Sequence, residues 1–340
     1  MGALEAGCRY YFGYPITPQS DVPEYIARHL PALGGQFIQA ESEIASINML
    51  LGAAACGARA MTSSSSPGIS LKQEGISYMA GSECPGLIVN VCRSGPGLGG
   101  IDASQADYFQ AVKGGGHGGY HIIVLAPDSV QEMYDLAMLA FDLSDRYRIP
   151  AMLLADAVIG QMKEGLVAHK YVPPADLAEK TWALTEKCNS GKRKVVKSLR
   201  LGDGEMEAHN NNLHARYAEM AQREVRYEGL HLDDAELVLT AFGSCARIAK
   251  TALRLAREQG MKVGMLRPVT LFPFPAAPLR EHCATARKVL CFELNNGQMV
   301  DDVRLALPDK EVAFYGRAPG AGSLPTPEEF LAQIRTHYEA

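Results

Sequence analysis

The chain has 340 residues, 47% of them apolar and 21% charged, the make-up of an ordinary globular protein with room for two domains. Its net charge of −5 leaves no electrostatic case for nucleic acid or an anionic membrane surface, and it holds neither a run of eighteen apolar residues nor a charged-then-apolar leader with a cleavage site; it reads as cytoplasmic. Its eight cysteines never form C-x-x-C, the close spacing usual in zinc and iron–sulfur sites, so they read as buried free thiols and any redox cluster must come from another chain.

Met1 to Gly7 read as the last turns of a helix that ends at Gly7, entered so abruptly that an earlier portion is expected outside this sequence. The apolar strand Cys8 to Phe12 then runs into Gly13-Tyr14-Pro15-Ile16-Thr17-Pro18. Two prolines separated by two residues remove backbone donors and fix φ, and Pro18 pushes Thr17 out of the helical region, so the strand ends in a stiff loop. Ser20 and Asp21 are placed to cap a helix through about His29, and Gln36 to Gln39 read as a short strand. A helix over Ser42 to Cys56, a strand over Arg59 to Thr62, the serine run to Gly68, a helix through Met79 and the apolar strand Gly86 to Cys92 follow. The pattern repeats with a strand over His121 to Ala126, a helix over Ser129 to Leu143 and a strand over Ile149 to Ala155. Strands alternating with helices predict an α/β fold with a parallel sheet covered on both faces.

Past Asp156 the regularity breaks. Residues 163–234 are polar, with Pro173-Pro174, the basic run Lys192-Arg193-Lys194 and Asn210-Asn211-Asn212, and read as an inter-domain connection with one helix around His209 to Glu224. They separate a first domain over residues 1–162 from a second, smaller α/β domain over residues 235–340. The second domain has strands at Leu237 to Phe242, Lys262 to Leu266, Lys288 to Glu293 and Val312 to Tyr315, a helix at Ser244 to Gln259 and a closing helix from Pro327.

Ligands of open α/β sheets lie beyond the carboxyl ends of the strands, which makes the loop presenting the Thr17 hydroxyl a place to expect one. Glu43 lies in the first turn of the next helix, where the dipole favours a carboxylate; it serves a ligand or only the helix start, for which Glu41 would do as well. Thr62-Ser63-Ser64-Ser65-Ser66-Pro67-Gly68 puts hydroxyls and free backbone N–H groups at the sheet edge, more than a capping loop requires. Arg93, at the end of the buried strand, is placed either to grip a carboxylate bidentately or to make a structural ion pair. The glycines after it satisfy G-x-G-x-x-G, but Pro96 sits inside the turn and no acid occurs near the ribose position, which argues against a nicotinamide dinucleotide. His117, in the loop Lys113 to Gly119, is a general acid or an exposed histidine. Gly202-Asp203-Gly204 imitates a diphosphate–magnesium motif, but no strand precedes it and the gap to Asn210 is too short, so it reads as a decoy.

Taken in order, Gly13 to Pro18, Ala40-Glu41-Ser42-Glu43, Thr62 to Gly68, and Arg93 with its glycine loop resemble the alpha chain of 2-oxoacid:ferredoxin oxidoreductases, over nearly the whole length. Lys197-Ser198-Leu199 with His209-Asn210, and Glu224-Val225-Arg226-Tyr227, are similar to the branched-chain (3-methyl-2-oxobutanoate) type more than to the 2-oxoglutarate type.

The resemblance implies a thiamine-diphosphate enzyme split across polypeptides. This chain would supply a parallel-sheet pyrimidine-binding-type domain and then a transketolase C-terminal-like domain. A beta subunit would carry the diphosphate and magnesium site, and iron–sulfur clusters would lie on beta or delta subunits. Gamma and delta-type subunits, ferredoxin and coenzyme A complete the expected partners, in a dimer of hetero-oligomers with no metal held by this chain. Glu43 matches the family glutamate that hydrogen-bonds the pyrimidine ring nitrogen and so gives the exocyclic nitrogen its basicity. Thr17 matches the threonine that contacts substrate and Arg93 the arginine that faces its carboxylate; Tyr14, Pro15 and Ser65 join Glu43 against the cofactor. The competing readings are a 2-oxoglutarate-type alpha subunit, a 2-oxoacid dehydrogenase or transketolase-like subunit, and a non-catalytic scaffold subunit.

Overall fold

A computed structural model of the chain describes residues 1–185 and 193–339; Lys192 of the basic run and Cys188 lie outside the described residues. The first half alternates helices and strands: α1 (Gly2–Glu5), β1 (Tyr10–Gly13), α2 (Asp21–His29), β2 (Gln36–Gln39), α3 (Glu43–Ala55), β3 (Ala60–Ser64), α4 (Ser66–Gly81), β4 (Leu87–Cys92), α5 (Tyr108–Val112), β5 (Ile123–Leu125), α6 (Val130–Tyr147), β6 (Ala151–Asp156) and α7 (Ala157–Gln161). After α8 (Glu205–Arg223) come β7 (Tyr227–Leu230), β8 (Leu237–Ala241), α9 (Gly243–Glu258), β9 (Val263–Pro268), β10 (Thr270–Phe272), α10 (Ala276–His282), β11 (Lys288–Glu293), α11 (Met299–Ala306), β12 (Glu311–Gly316) and α12 (Pro327–Glu339).

The strands form a seven-stranded sheet in the order β10-β5-β6-β4-β3-β1-β2 and a five-stranded sheet in the order β12-β11-β8-β9-β7. Pairing is parallel except where β10 meets β5 and β7 meets β9. Every residue of β3, β4 and β6 is buried, because helices cover both faces of the first sheet, and this is why these strands read as unbroken apolar or small-residue runs.

Two strands depart from the sequence expectation. β7 falls inside the stretch read as connection: Tyr-Glu-Gly-Leu, with a glycine and an acid in four residues, lacks the β-branched alternation that marks a strand. β10 leaves the second sheet one residue after β9 and adds an antiparallel edge to the first, a three-residue strand too short to register as a period. Ser20 stands at the N-cap of α2, but its side chain makes no capping bond.

The joint between the sheets is closely bonded. Arg267 of β9, 2% exposed, donates to both carboxylate oxygens of Glu132 on α6, at 2.5 and 2.8 Å, and to Glu228 on β7 at 2.7 Å. Asp156, closing β6, accepts from the Ser244 amide at 2.8 Å, and Gln105 donates to the Phe242 carbonyl at the same distance. Since β1, β3, β4 and β6 run parallel, their carboxyl ends line one edge, and the candidate residues lie there.

Candidate functional site

Beyond β1 the Thr17-Pro18 peptide is cis, with Pro18 and Gln19 buried and Tyr14, Pro15 and Thr17 exposed. The loop is fastened from the side by Arg93, whose Nη1 donates to the Thr17 carbonyl at 2.9 Å while Nη2 donates to the Leu98 carbonyl at 2.9 Å. Arg93 is 8% exposed, its Nε is buried without a partner, and among the described residues no carboxylate reaches it. Of the two alternatives the sequence left open, a structural ion pair is therefore not what the chain forms. Arg93 is itself fixed by Ser66 at the start of α4, whose hydroxyl accepts from the Arg93 amide at 3.0 Å.

Two residues further along α4, Gly68 lies under Glu43. Ser42 takes the N-cap of α3 in extended conformation, its hydroxyl accepting from the Ala45 amide at 3.2 Å, so Glu43 occupies the first helical position. The Glu43 side chain is buried, and a Cβ built on Gly68 would fall 2.7 Å from its Oε1 and 2.1 Å from the Ser64 hydroxyl. Only a glycine lets the helix approach this closely. Ser64 and Ser65 are fully buried and both hydroxyls lack a partner; Ser65 stands at the N-cap of α4 and makes no capping bond. The result is a polar cluster around Gly68, with one buried carboxyl, two unsatisfied hydroxyls and a helix start. It connects through Ser66 and Arg93 to the exposed tip at Thr17. Unsatisfied buried hydroxyls carry a desolvation cost that a bound polar group would relieve.

Gly68→Ala tests this geometry. The added methyl cannot be accommodated without moving Glu43 or Ser64, so the variant is expected to lose about 1–3 kcal/mol of stability, read by urea unfolding. Unchanged stability would show that Glu43 and Ser64 can withdraw from Gly68 freely.

Lys72, one turn beyond Gly68, was not legible as a site residue. It is fully buried, and its ammonium donates to the Ser46 hydroxyl, to the Thr62 hydroxyl at 3.1 Å and to the Glu43 carbonyl at 3.4 Å. The available signal was a lysine among Ile69, Ile76 and Met79, at the helical spacing of the buried face. Burial pushes its proton affinity down to about 8, partly offset by the Glu43 charge. An unfolded lysine titrates near 10.4, so the folded chain holds this proton less tightly and the burial is destabilising in full below about 8. The wild-type chain is accordingly expected to gain stability relative to Lys72→Met as pH rises from about 8 toward about 10.4, read by urea unfolding. Parallel curves would contradict it.

Other candidates lie elsewhere. Glu41 is exposed, and the glycine turn after Arg93 carries Leu98 at 81% exposure. His117 is exposed and lines a cavity of about 660 Å³ at the far end of α4, together with Tyr78, Ser198, Leu199, His209 and Asn210. Gly202-Asp203-Gly204 is an exposed turn leading into α8 with no strand before it.

Residues 1–228 match the family model described as pyruvate flavodoxin/ferredoxin oxidoreductase, thiamine diphosphate-binding, and residues 235–330 match that of pyruvate:ferredoxin oxidoreductase core domain II. The chain belongs to the pyruvate flavodoxin/ferredoxin oxidoreductase family. Within the family it is 48% identical to the ketoisovalerate oxidoreductase subunit VorB of Methanothermobacter marburgensis, over 98% of this chain and 94% of that one. It is 35% identical to the 2-oxoglutarate synthase subunit KorA of Methanocaldococcus jannaschii, over 96% and 94%. Among solved structures, 2-oxoglutarate:ferredoxin oxidoreductase from Magnetococcus marinus superposes with a TM-score of 0.86 at 26% identity, covering 99% of this chain; the chain spans 63% of that one's length. A split-gene transketolase, at 12% identity and a TM-score of 0.61, shares the fold. Like these relatives, this member of the family is an oxidoreductase subunit.

Proposed function

We propose that the chain is the alpha subunit of a thiamine-diphosphate-dependent 2-oxoacid:ferredoxin oxidoreductase that converts a branched-chain 2-oxoacid, with coenzyme A, to acyl-coenzyme A and carbon dioxide. The observation that carries the reading is the polar cluster around Glu43: a buried carboxyl held over Gly68 beside two unpartnered serine hydroxyls, in a family whose model names this cofactor. The branched-chain assignment draws its support from the 48% identity with a ketoisovalerate subunit, against 35% with a 2-oxoglutarate one.

The residues fit the pyrimidine end of thiamine diphosphate. The bound cofactor supplies the carbanion stabilisation that oxoacid decarboxylation needs. Glu43, largely buried, would share a proton with the pyrimidine ring nitrogen of the bound cofactor. Tyr14 and Pro15, exposed on the stiff loop beyond β1, and Ser65, whose hydroxyl has no partner, would complete the contacts to the cofactor. Arg93 has committed one N–H each of Nη1 and Nη2 to carbonyls; its Nε and remaining N–H groups stay available to a carboxylate. With the Thr17 hydroxyl, it orients the oxoacid before carbon dioxide leaves.

The cluster is half a site. Ile44 and Met49 on α3 and Leu71 and Tyr78 on α4 are exposed by between 36% and 52%, and α3 is apolar on nearly all sides, as a helix meant to be covered is. A beta subunit bearing the diphosphate and magnesium site covers this face. Gamma and delta-type subunits and the iron–sulfur clusters on partner chains take the electrons to ferredoxin, in a dimer of hetero-oligomers in the cytoplasm. Among the described residues no helix is long and apolar enough to cross a membrane.

The test is to co-purify the partner chains and assay several 2-oxoacids with coenzyme A and a viologen dye. Fastest dye reduction with 3-methyl-2-oxobutanoate is expected. Preference for 2-oxoglutarate would reassign the substrate, and turnover only with a lipoamide acceptor would overturn the class.

A further inference from the structure

We propose that Lys72 is a positioning residue for Glu43: a buried cation that ties the first turn of α3 to the middle of β3 and supplies the charge against which the carboxyl is held. The inference rests on the reading of Glu43 given above and deepens it. An ammonium has three N–H groups, and Lys72 directs them to three oxygens, the Glu43 carbonyl and the Ser46 hydroxyl on α3 and the Thr62 hydroxyl on β3. Ser46 in turn donates to the Glu43 carbonyl at 2.9 Å, so the backbone that carries the carboxyl is held from two sides. β3 continues from Thr62 to its end at Ser64, Ser65 caps α4, and the stem of Lys72 springs from α4 one turn beyond Gly68. One side chain thus links all three elements that make the polar cluster.

A methionine would fill this space without the desolvation of a charge, and buried ions are often replaceable by apolar groups with no loss of stability. Stability therefore does not account for the lysine. Among the described residues, Glu43 is the one ionisable group whose charge acts on it; Ser46 and Thr62, from the packed elements, and its neighbour Gln73 are neutral. A full positive charge here fixes where the carboxyl rests before the cofactor arrives. Its loss leaves Glu43 dependent on helix packing alone.

The experiment measures thiamine diphosphate affinity by calorimetry, on the complex reconstituted with its partner chains, from about pH 6.5 to about pH 9.5, for wild type, Lys72→Met and Glu43→Gln. Wild-type affinity is expected to weaken about tenfold as pH rises through about 8, where Lys72 gives up its proton. Lys72→Met is expected to assemble normally, to bind about tenfold more weakly at neutral pH and to lack that step. The same affinity and step as wild type overturns the proposal, and so does a uniform weakening that keeps the step, since that is the mark of lost packing. Should Lys72→Met not assemble, the wild-type curve decides, a flat profile near pH 8 overturning it. Impaired Glu43→Gln beside silent Lys72→Met defeats this inference alone; silent Glu43→Gln defeats the reading of Glu43 itself.

Discussion

Glu43→Gln in the assembled enzyme is expected to lower turnover by roughly 10²–10⁴-fold, with Glu43→Ala falling at least as far. The amide keeps the shape and the contact with Gly68 but cannot share a proton with the pyrimidine ring, so the loss belongs to chemistry more than to packing. Glu43 makes this prediction sharp because among the described residues its carboxyl forms no hydrogen bond or ion pair, and Lys72 acts on it only as a nearby charge. Among the described residues, no side chain or backbone group donates a hydrogen bond to it. A buried carboxyl is costly to leave in that condition, and a structural role would show as an ion pair or a capping bond. Full turnover in Glu43→Ala, with normal assembly, would remove the assignment.

Arg93→Ala is expected to raise the apparent substrate requirement by roughly ten- to a hundredfold, the equivalent of losing a charge-assisted contact of about 1.5–3 kcal/mol. The effect should fall mainly on KM. A guanidinium that gripped the carboxylate more firmly as carbon dioxide departed would oppose the reaction, so its contribution is orientation. Arg93→Lys should lie between, because an ammonium reaches a carboxylate but cannot also span the carbonyls of Thr17 and Leu98, which sit on separate loops. Equal kinetics in the two variants would mean that Arg93 acts only as a strut.

The alternation of strands and helices was legible because each buried parallel strand is an apolar or small-residue run long enough to stand out, and the proline loop, the serine run and the glycine turn punctuate them. Parallel pairing then places these punctuations on one edge without further information, which is how Thr17, Glu43 and Arg93 come to be linked through Ser66 and Gly68. What escaped reading was decided by tertiary contacts. β10 exists because it meets the edge of β5, and β7 because β9 lies beside it. α6 runs past Leu143 to Tyr147, where Arg148 takes the left-handed cap that a glycine would have announced. The hold of Arg93 on the Thr17 carbonyl joins residues 76 positions apart, and no local pattern records it. Lys72 was hidden for a related reason: charge on an otherwise buried helix face acquires meaning only when its three acceptors are known.

The claim on which the rest depends is that this chain holds one side of a cleft that a second polypeptide completes. It is tested most directly by supplying 3-methyl-2-oxobutanoate, thiamine diphosphate, magnesium and coenzyme A to the purified chain alone and to the chain reconstituted with its co-purified partners, and measuring carbon dioxide release. The account predicts release from the reconstituted complex and none above background from the chain alone. Sustained decarboxylation by the isolated chain would contradict it.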